Sequence, residues 1–150
     1  MNKQVDYQLL LSQVKAMVKD ESDPVANMAN VAALIQEAFR FWWTGFYRVI
    51  DHQLVLGPFQ GPVACTRIGF GKGVCGTSWK EKKTLVVEDV EQFPGHIACS
   101  SESRSEIVVP LLKDEEVIGV LDIDSEKLAT FDEIDKVWLE QIAEVVSAKL

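Results

Sequence analysis

Residues 105–124 read SEIVVPLLKDEEVIGVLDID, two apolar runs joined by a short polar stretch. Each run contains several β-branched residues and has the length of a strand, so both are predicted to be strands. The connection between them, Lys113-Asp114-Glu115, is too short for a crossover and requires the two strands to be antiparallel. This pair therefore indicates that the chain builds an antiparallel sheet.

Helical patterns flank the strands at both ends of the chain. Apolar residues recur at helical spacing over residues 4–19, and a second helix is predicted to begin at Pro24 and to run to about Phe39. The motif Thr130-x-x-Glu133 predicts a capping box that opens the last helix. The apolar stripe expected on that helix consists of Ile134, Val137, Trp138, Ile142 and Val145.

The middle of the chain alternates strand-like segments with loops. FWWTGFYRVI at residues 41–50, QLVLGPF at 53–59 and TLVVEDV at 84–90 are predicted strands, and a hairpin turn at Asp51-His52 is predicted between the first two. GFGKGVCGTSWKEKK at 69–83 is predicted to be a glycine-rich loop that enters a short helix. This order predicts the α+β class, with an antiparallel sheet, the terminal helices on one face, and a pocket formed by the middle loops on the other.

The composition argues against several classes of function. The chain has 150 residues, of which 15 are basic and 23 acidic, and its net charge of −8 repels nucleic acid and anionic membrane surfaces. No apolar run approaches the roughly 20 residues that span a bilayer, and the N-terminus has no signal-peptide pattern. We therefore expect one cytoplasmic domain, in a compartment that keeps thiols reduced.

Three cysteines, Cys65, Cys75 and Cys99, are the first candidates for chemistry. Their wide spacing lacks the close pairs of zinc sites, so a metal site that uses them with His96 is not expected. Each one taken singly is typical of a small buried residue. However, Cys75 lies in the glycine-rich loop and Cys99 in a polar segment, settings that favour accessible thiols. Together they indicate a redox relay in which one thiol attacks and another resolves the oxidised product.

Carboxylates and aromatic residues supply the other candidates. Asp122 and Asp124 are two residues apart, so they share one face of a strand, where paired negative charge favours a bound cation such as an ammonium group. A solvated strand end is the alternative interpretation. Glu106, at the start of the preceding strand, is a possible proton donor. Trp43 and Tyr47 also share one strand face and can form either core or a pocket wall.

Three segments resemble the free methionine-R-sulfoxide reductases, which are single GAF-domain enzymes. They are LGPFQGPVACTRIGFGKGVCGTSW at 56–79, EDVEQFPGHIACSSESRSEIVVPL at 88–111 and VIGVLDIDSEKLATFDEID at 117–135. The likeness covers about residues 25–148. It implies a GAF fold, in which a central antiparallel sheet of about six strands has helices on both sides.

The resemblance also implies a domain layout and roles for the cysteines. Residues 1–150 would form one GAF domain, with the pocket loops at about 57–105. Cys99 matches the catalytic cysteine, and Cys65 and Cys75 match resolving cysteines, with a modest preference for Cys65. The implied reaction reduces free L-methionine-R-sulfoxide through a cysteine sulfenic acid and an intramolecular disulfide, which thioredoxin then reduces.

The same resemblance assigns the pocket. Glu106, Asp122 and Asp124 match the acidic residues that bind and polarise the substrate, and Trp43 and Tyr47 match the aromatic wall. A homodimer is implied, and no metal or resident cofactor is expected.

The sequence is also compatible with two other functions. A GAF domain can be a small-molecule sensor that binds a ligand without catalysis, although such a domain is normally fused to an output domain. A structural zinc domain is the second alternative.

Overall fold

The computed structural model describes residues 2–97, 99 and 102–150, and within them the chain forms four α-helices and six strands. The helices are α1 (Lys3–Val18), α2 (Pro24–Phe39), α3 (Gly73–Glu81) and α4 (Glu133–Ser147). The strands are β1 (Trp43–Ile50), β2 (Gln53–Gln60), β3 (Arg67–Gly69), β4 (Leu85–Val87), β5 (Ser105–Lys113) and β6 (Glu116–Ser125). Among the described residues, none of the helices combines the length and apolar character needed to cross a bilayer.

The strands form one antiparallel sheet in the order β3-β2-β1-β6-β5-β4. The two long hairpins that the sequence predicted, β1–β2 and β5–β6, lie side by side in its centre. Asp114 and Glu115 form the β5–β6 turn, and Asp51 and His52 form the β1–β2 turn, all four with positive φ. Two-residue turns of this hand match the twist of paired strands. The predicted α+β class and six-stranded GAF sheet are confirmed.

Helices α1, α2 and α4 cover one face of the sheet. Their apolar residues interdigitate with the side chains of β1, β5 and β6 that point to this face, among them Phe46, Ile107, Leu121 and Ile123. Burial of apolar surface on this scale supplies most of the driving force for folding. The opposite face carries α3, so the sheet has helices on both sides, as predicted.

The beginning of α4 differs from the sequence prediction. Asp132 is the N-cap and Asp135 completes the capping box, two residues beyond the predicted Thr130–Glu133 motif. The Thr130 hydroxyl is instead bonded to the Ser125 hydroxyl, 2.6 Å away. The buried apolar positions of α4 are Leu139, Ile142, Ala143 and Val146. Of the predicted stripe, Ile142 is buried and Trp138 and Val145 pack against the core, whereas Ile134 and Val137 are 38% and 45% exposed.

Candidate active site

The floor of the main pocket is the sheet face opposite the terminal helices. Its strands β1, β6 and β5 are adjacent, and Asp124 is paired with Trp43 on one side and with Glu106 on the other. Asp122 is paired with Gly45 in the next row of the same face. Antiparallel register thus gathers side chains that are far apart in the sequence into one patch.

Two of the three acidic residues of this patch are buried, and the third is partly buried. Glu106 and Asp122 are each 6% exposed and Asp124 is intermediate, so the pair at 122 and 124 is not a solvated strand end. Burial, together with repulsion from Asp122, raises the pKa of Glu106 and of Asp124 well above the usual range of a carboxyl group. Burial also raises the pKa of Asp122. The cluster therefore retains protons more strongly than exposed carboxyl groups do.

The carboxyl oxygens of Asp122 and Asp124 differ in their hydrogen bonds. The Ser103 hydroxyl donates a hydrogen bond to Asp124 Oδ1 at 3.1 Å. Asp122 Oδ1 is buried and has no hydrogen-bond partner among the described residues. A buried acceptor without a partner is costly, and it is satisfied most simply by a donor that the pocket receives from outside.

Cys65 and Cys99 form a disulfide at the pocket, with their Cα atoms 5.4 Å apart. Cys65 lies in the loop between β2 and β3, and Cys99 lies in the segment that precedes β5. Both are partly exposed. The bridge therefore joins two loops that the sequence separates by 34 residues.

Cys75 differs from the sequence prediction. It is a free thiol that is only 4% exposed, and it belongs to the first turn of α3 rather than to an accessible loop. This turn lies so close to the end of β3 that a Cβ added at Gly76 would be 2.4 Å from the Gly69 carbonyl oxygen. The Cys75 Sγ lies 3.9 Å from Glu106 Oε2, and burial raises the pKa of the thiol.

Cys75, Glu106 and Asp122 offer ligand atoms within 4.8 Å of one another, which is close enough to hold a metal ion. This set differs from the cysteines and His96 that the sequence offered as metal ligands. A metal needs deprotonated thiolate and carboxylate ligands. Burial raises the pKa values of all three groups, so they also form a cluster that can share protons.

Trp43 and Tyr47 form one wall of the pocket, with ring centroids 6.0 Å apart. Their polar atoms point towards the Cys65 loop: Tyr47 donates to the Cys65 carbonyl oxygen at 2.8 Å, and Trp43 Nε1 donates to the Pro62 carbonyl oxygen at 3.0 Å.

Seven of the eight residues predicted for the site line one pocket, and the eighth, Cys65, is joined to the pocket residue Cys99 by the disulfide. The structure adds others that sequence reasoning did not assign to a substrate pocket. They are Trp42, Val63, Ala64, Ile68, Lys72, Gly73, Val74, His96, Ile97 and Ser103. Of these, only Ser103 and His96 carry a recognisable chemical signal, as polar residues close to Cys99 in the sequence.

Known proteins resemble this chain over most of its length. A family model described as GAF domain matches residues 23–150. The GAF domain-containing protein A of Dictyostelium discoideum is 56% identical over 97% of this chain and 92% of its own length. The free methionine-R-sulfoxide reductase of Escherichia coli (strain K12) is 45% identical over 95% of this chain and 87% of its own. Among solved structures, free methionine-R-sulfoxide reductase from Neisseria meningitidis in complex with its substrate is 54% identical, with a TM-score of 0.98 over 99% of this chain and 90% of that one.

Proposed function

Because this chain belongs to the GAF-domain family and, within it, to the free methionine-R-sulfoxide reductases, we propose that it reduces free L-methionine-R-sulfoxide to L-methionine. The observation that carries the proposal is the position of the Cys65–Cys99 disulfide. It closes over a pocket that contains buried acidic groups and an aromatic wall. A thiol relay, an ammonium site and an apolar surface are what this substrate requires.

Each end of the substrate has a matching surface. The Asp122 and Asp124 carboxyl groups suit the ammonium group, and the buried Asp122 Oδ1 is an acceptor without a partner among the described residues. The ε-methyl group fits against Trp43 and Tyr47. The substrate carboxylate fits near Gly73, where α3 begins without a side-chain cap and where the backbone N–H groups of the first turn can bind an anion.

The proposed chemistry starts at the sulfoxide oxygen. Burial raises the pKa of Glu106 well above the usual range of a carboxyl group, and in its protonated form Glu106 donates a hydrogen bond to this oxygen and makes the sulfur more electrophilic. Cys99 attacks, the S–O bond of the substrate breaks, and an S–O bond forms on the Cys99 sulfur. Methionine leaves, and Cys99 carries the oxygen as a sulfenic acid. Cys65 then condenses with the sulfenic acid, which forms the disulfide and releases water. The dithiol of thioredoxin reduces the disulfide and restores both thiols.

The remaining parts of the proposal follow from the family. We expect residues 1–150 to act as one cytoplasmic GAF domain that forms a homodimer, which light scattering can measure. We expect thioredoxin to be the only external reductant required, with no resident cofactor and no nucleic-acid or membrane partner.

The test is a single turnover of reduced protein with free methionine-R-sulfoxide, followed by chromatography of the methionine released. Wild-type protein and Cys75→Ser are expected to release about one equivalent, whereas Cys99→Ser is expected to release none. Peptide mapping should find the 65–99 linkage in excess over a 75–99 linkage. Binding of the substrate by wild-type protein without methionine release would identify a sensor and contradict the proposal.

A further inference from the structure

The loop that carries Cys65 has no regular secondary structure, so hydrogen bonds within a helix or sheet do not hold it in place. Residues 61–66 connect β2 to β3 without regular structure, and Val63, in the middle of the loop, is 88% exposed. Its far end is held by the hydrogen bond from the Leu56 N–H to the Thr66 carbonyl oxygen, at 2.9 Å. Ala64 and Cys65 also pack against the apolar cluster on this face of the sheet. The exposed remainder of the loop depends on individual hydrogen bonds for its position.

Strand β1 supplies two further bonds to this loop. The Tyr47 hydroxyl donates to the carbonyl oxygen of Cys65 itself, and the Trp43 indole donates to that of Pro62. Tyr47 is 1% exposed, and burial raises the pKa of its phenol, so the hydroxyl stays a neutral donor. Gly61 makes the close approach possible, since a Cβ at this position would lie 2.7 Å from Trp43 Cδ1.

We propose that the Tyr47 hydroxyl is a positioning group for the resolution step, which holds the Cys65 thiol within reach of the Cys99 sulfenic acid. This rests on the proposed reductase function. It gives Tyr47 two separate tasks, in which the ring contacts the substrate and the hydroxyl holds the loop. Trp43 supports the same loop through its indole N–H.

The step concerned is the second half of the reaction. The Cys65 thiolate attacks the Cys99 sulfur, the S–O bond breaks, the S–S bond forms, and hydroxide leaves with a proton as water. Its rate depends on the fraction of time that the two sulfur atoms are correctly placed. Loss of one neutral hydrogen bond is expected to lower that fraction by about threefold to tenfold. Methionine release precedes this step and does not involve Cys65.

The test separates the two half-reactions in Tyr47→Phe, which keeps the ring and removes the hydroxyl. Quenched single turnovers are analysed for methionine, for dimedone-trapped sulfenic acid and for the 65–99 disulfide. Relative to the rate of methionine release in the same variant, we expect the disulfide to form about threefold to tenfold more slowly than in wild type, with more trapped sulfenic acid. Gly61→Ala, which displaces the loop from Trp43, should show the same pattern.

Tyr7→Phe is the matched control. Tyr7 is also buried, and its hydroxyl bonds to Asp135 on the other face of the sheet. This variant should lose stability but resolve at the wild-type rate. Equal disulfide formation in Tyr47→Phe and wild type, or a loss confined to methionine release, would overturn the inference while leaving the reductase function intact. A wild-type protein that releases no methionine would instead overturn the proposed function itself.

Discussion

At the scale of single residues, the acidic cluster links stability to pH. Burial raises the pKa of Glu106 and of Asp124, so the folded state holds protons that the unfolded chain releases. The resulting stabilisation is complete below the unfolded pKa of about 4 and is lost as the pH rises through the folded value. We therefore expect the pocket to lower the stability of the protein at neutral and alkaline pH.

Glu106→Gln is expected to raise the midpoint of thermal unfolding at about pH 8, because glutamine stays neutral without retaining a proton. At about pH 4 the difference should largely disappear, since glutamate is then protonated in both states. Thermal unfolding followed by circular dichroism measures this, with the exposed Glu88→Gln as the control. A lower midpoint for Glu106→Gln than for wild type at the higher pH would refute the assignment of a carboxyl group whose burial is costly above its unfolded pKa.

Asp122→Asn is expected to raise KM for free methionine-R-sulfoxide by about tenfold or more, because a charge-assisted hydrogen bond to the ammonium group is lost. Asp124→Asn, which removes the second carboxylate, should act in the same direction. Steady-state kinetics measure both, and Asp114→Asn in the exposed β5–β6 turn is the control. Unchanged KM in the two pocket variants would mean that the aspartates do not bind the ammonium group.

At the scale of elements, α1 and α4 are joined through one buried carboxylate. Asp135 accepts hydrogen bonds from the Tyr7 hydroxyl and, at 2.8 Å, from Lys3 Nζ. It also accepts from the backbone N–H of Asp132, whose own side chain caps α4. The terminal helices are thus held together at the point where α4 begins.

Asp132→Ala removes this cap and is expected to lower the free energy of unfolding by about 1 kcal/mol, with kcat and KM unchanged. Chemical denaturation measures the loss, and the exposed Asp20→Ala serves as the control. An equal stability of Asp132→Ala and wild type would show that α4 does not need the cap.

The sequence predicted the hairpins and the faces of their strands correctly, because strand alternation and short turns are local properties. It placed Asp122 and Asp124 on one face, and the structure agrees. It failed for the start of α4, where Thr130 and Asp132 both fit a capping pattern and only the contact of Asp135 with Tyr7 and Lys3 decides between them. Such contacts join residues more than 120 positions apart and leave no local signal.

At the scale of the whole molecule, the two faces of the sheet have different tasks. One is covered by three helices and holds the larger core, whereas the other supports α3 and the pocket. The acidic cluster could be named from the sequence, but its burial could not, nor could the burial of Cys75. Both depend on how the loops and α3 close over β5 and β6, and this is a property of the complete fold.

The pocket that results must hold both ends of its substrate. The proposed ammonium site lies on β6, the aromatic wall lies on β1, and the disulfide joins two loops beside them. A substrate fixed by its ammonium and methyl groups presents its sulfur to Cys99 in one configuration. An acylated nitrogen has no charge to offer the aspartates and adds bulk at a buried site.

The most direct test of this account compares kcat/KM for free and N-acetylated L-methionine-R-sulfoxide under identical thioredoxin recycling, followed by NADPH oxidation. We predict that the free amino acid is preferred by at least about a hundredfold. Comparable values for the two substrates would contradict recognition of the ammonium group and, with it, the assignment of this protein as a reductase of the free amino acid.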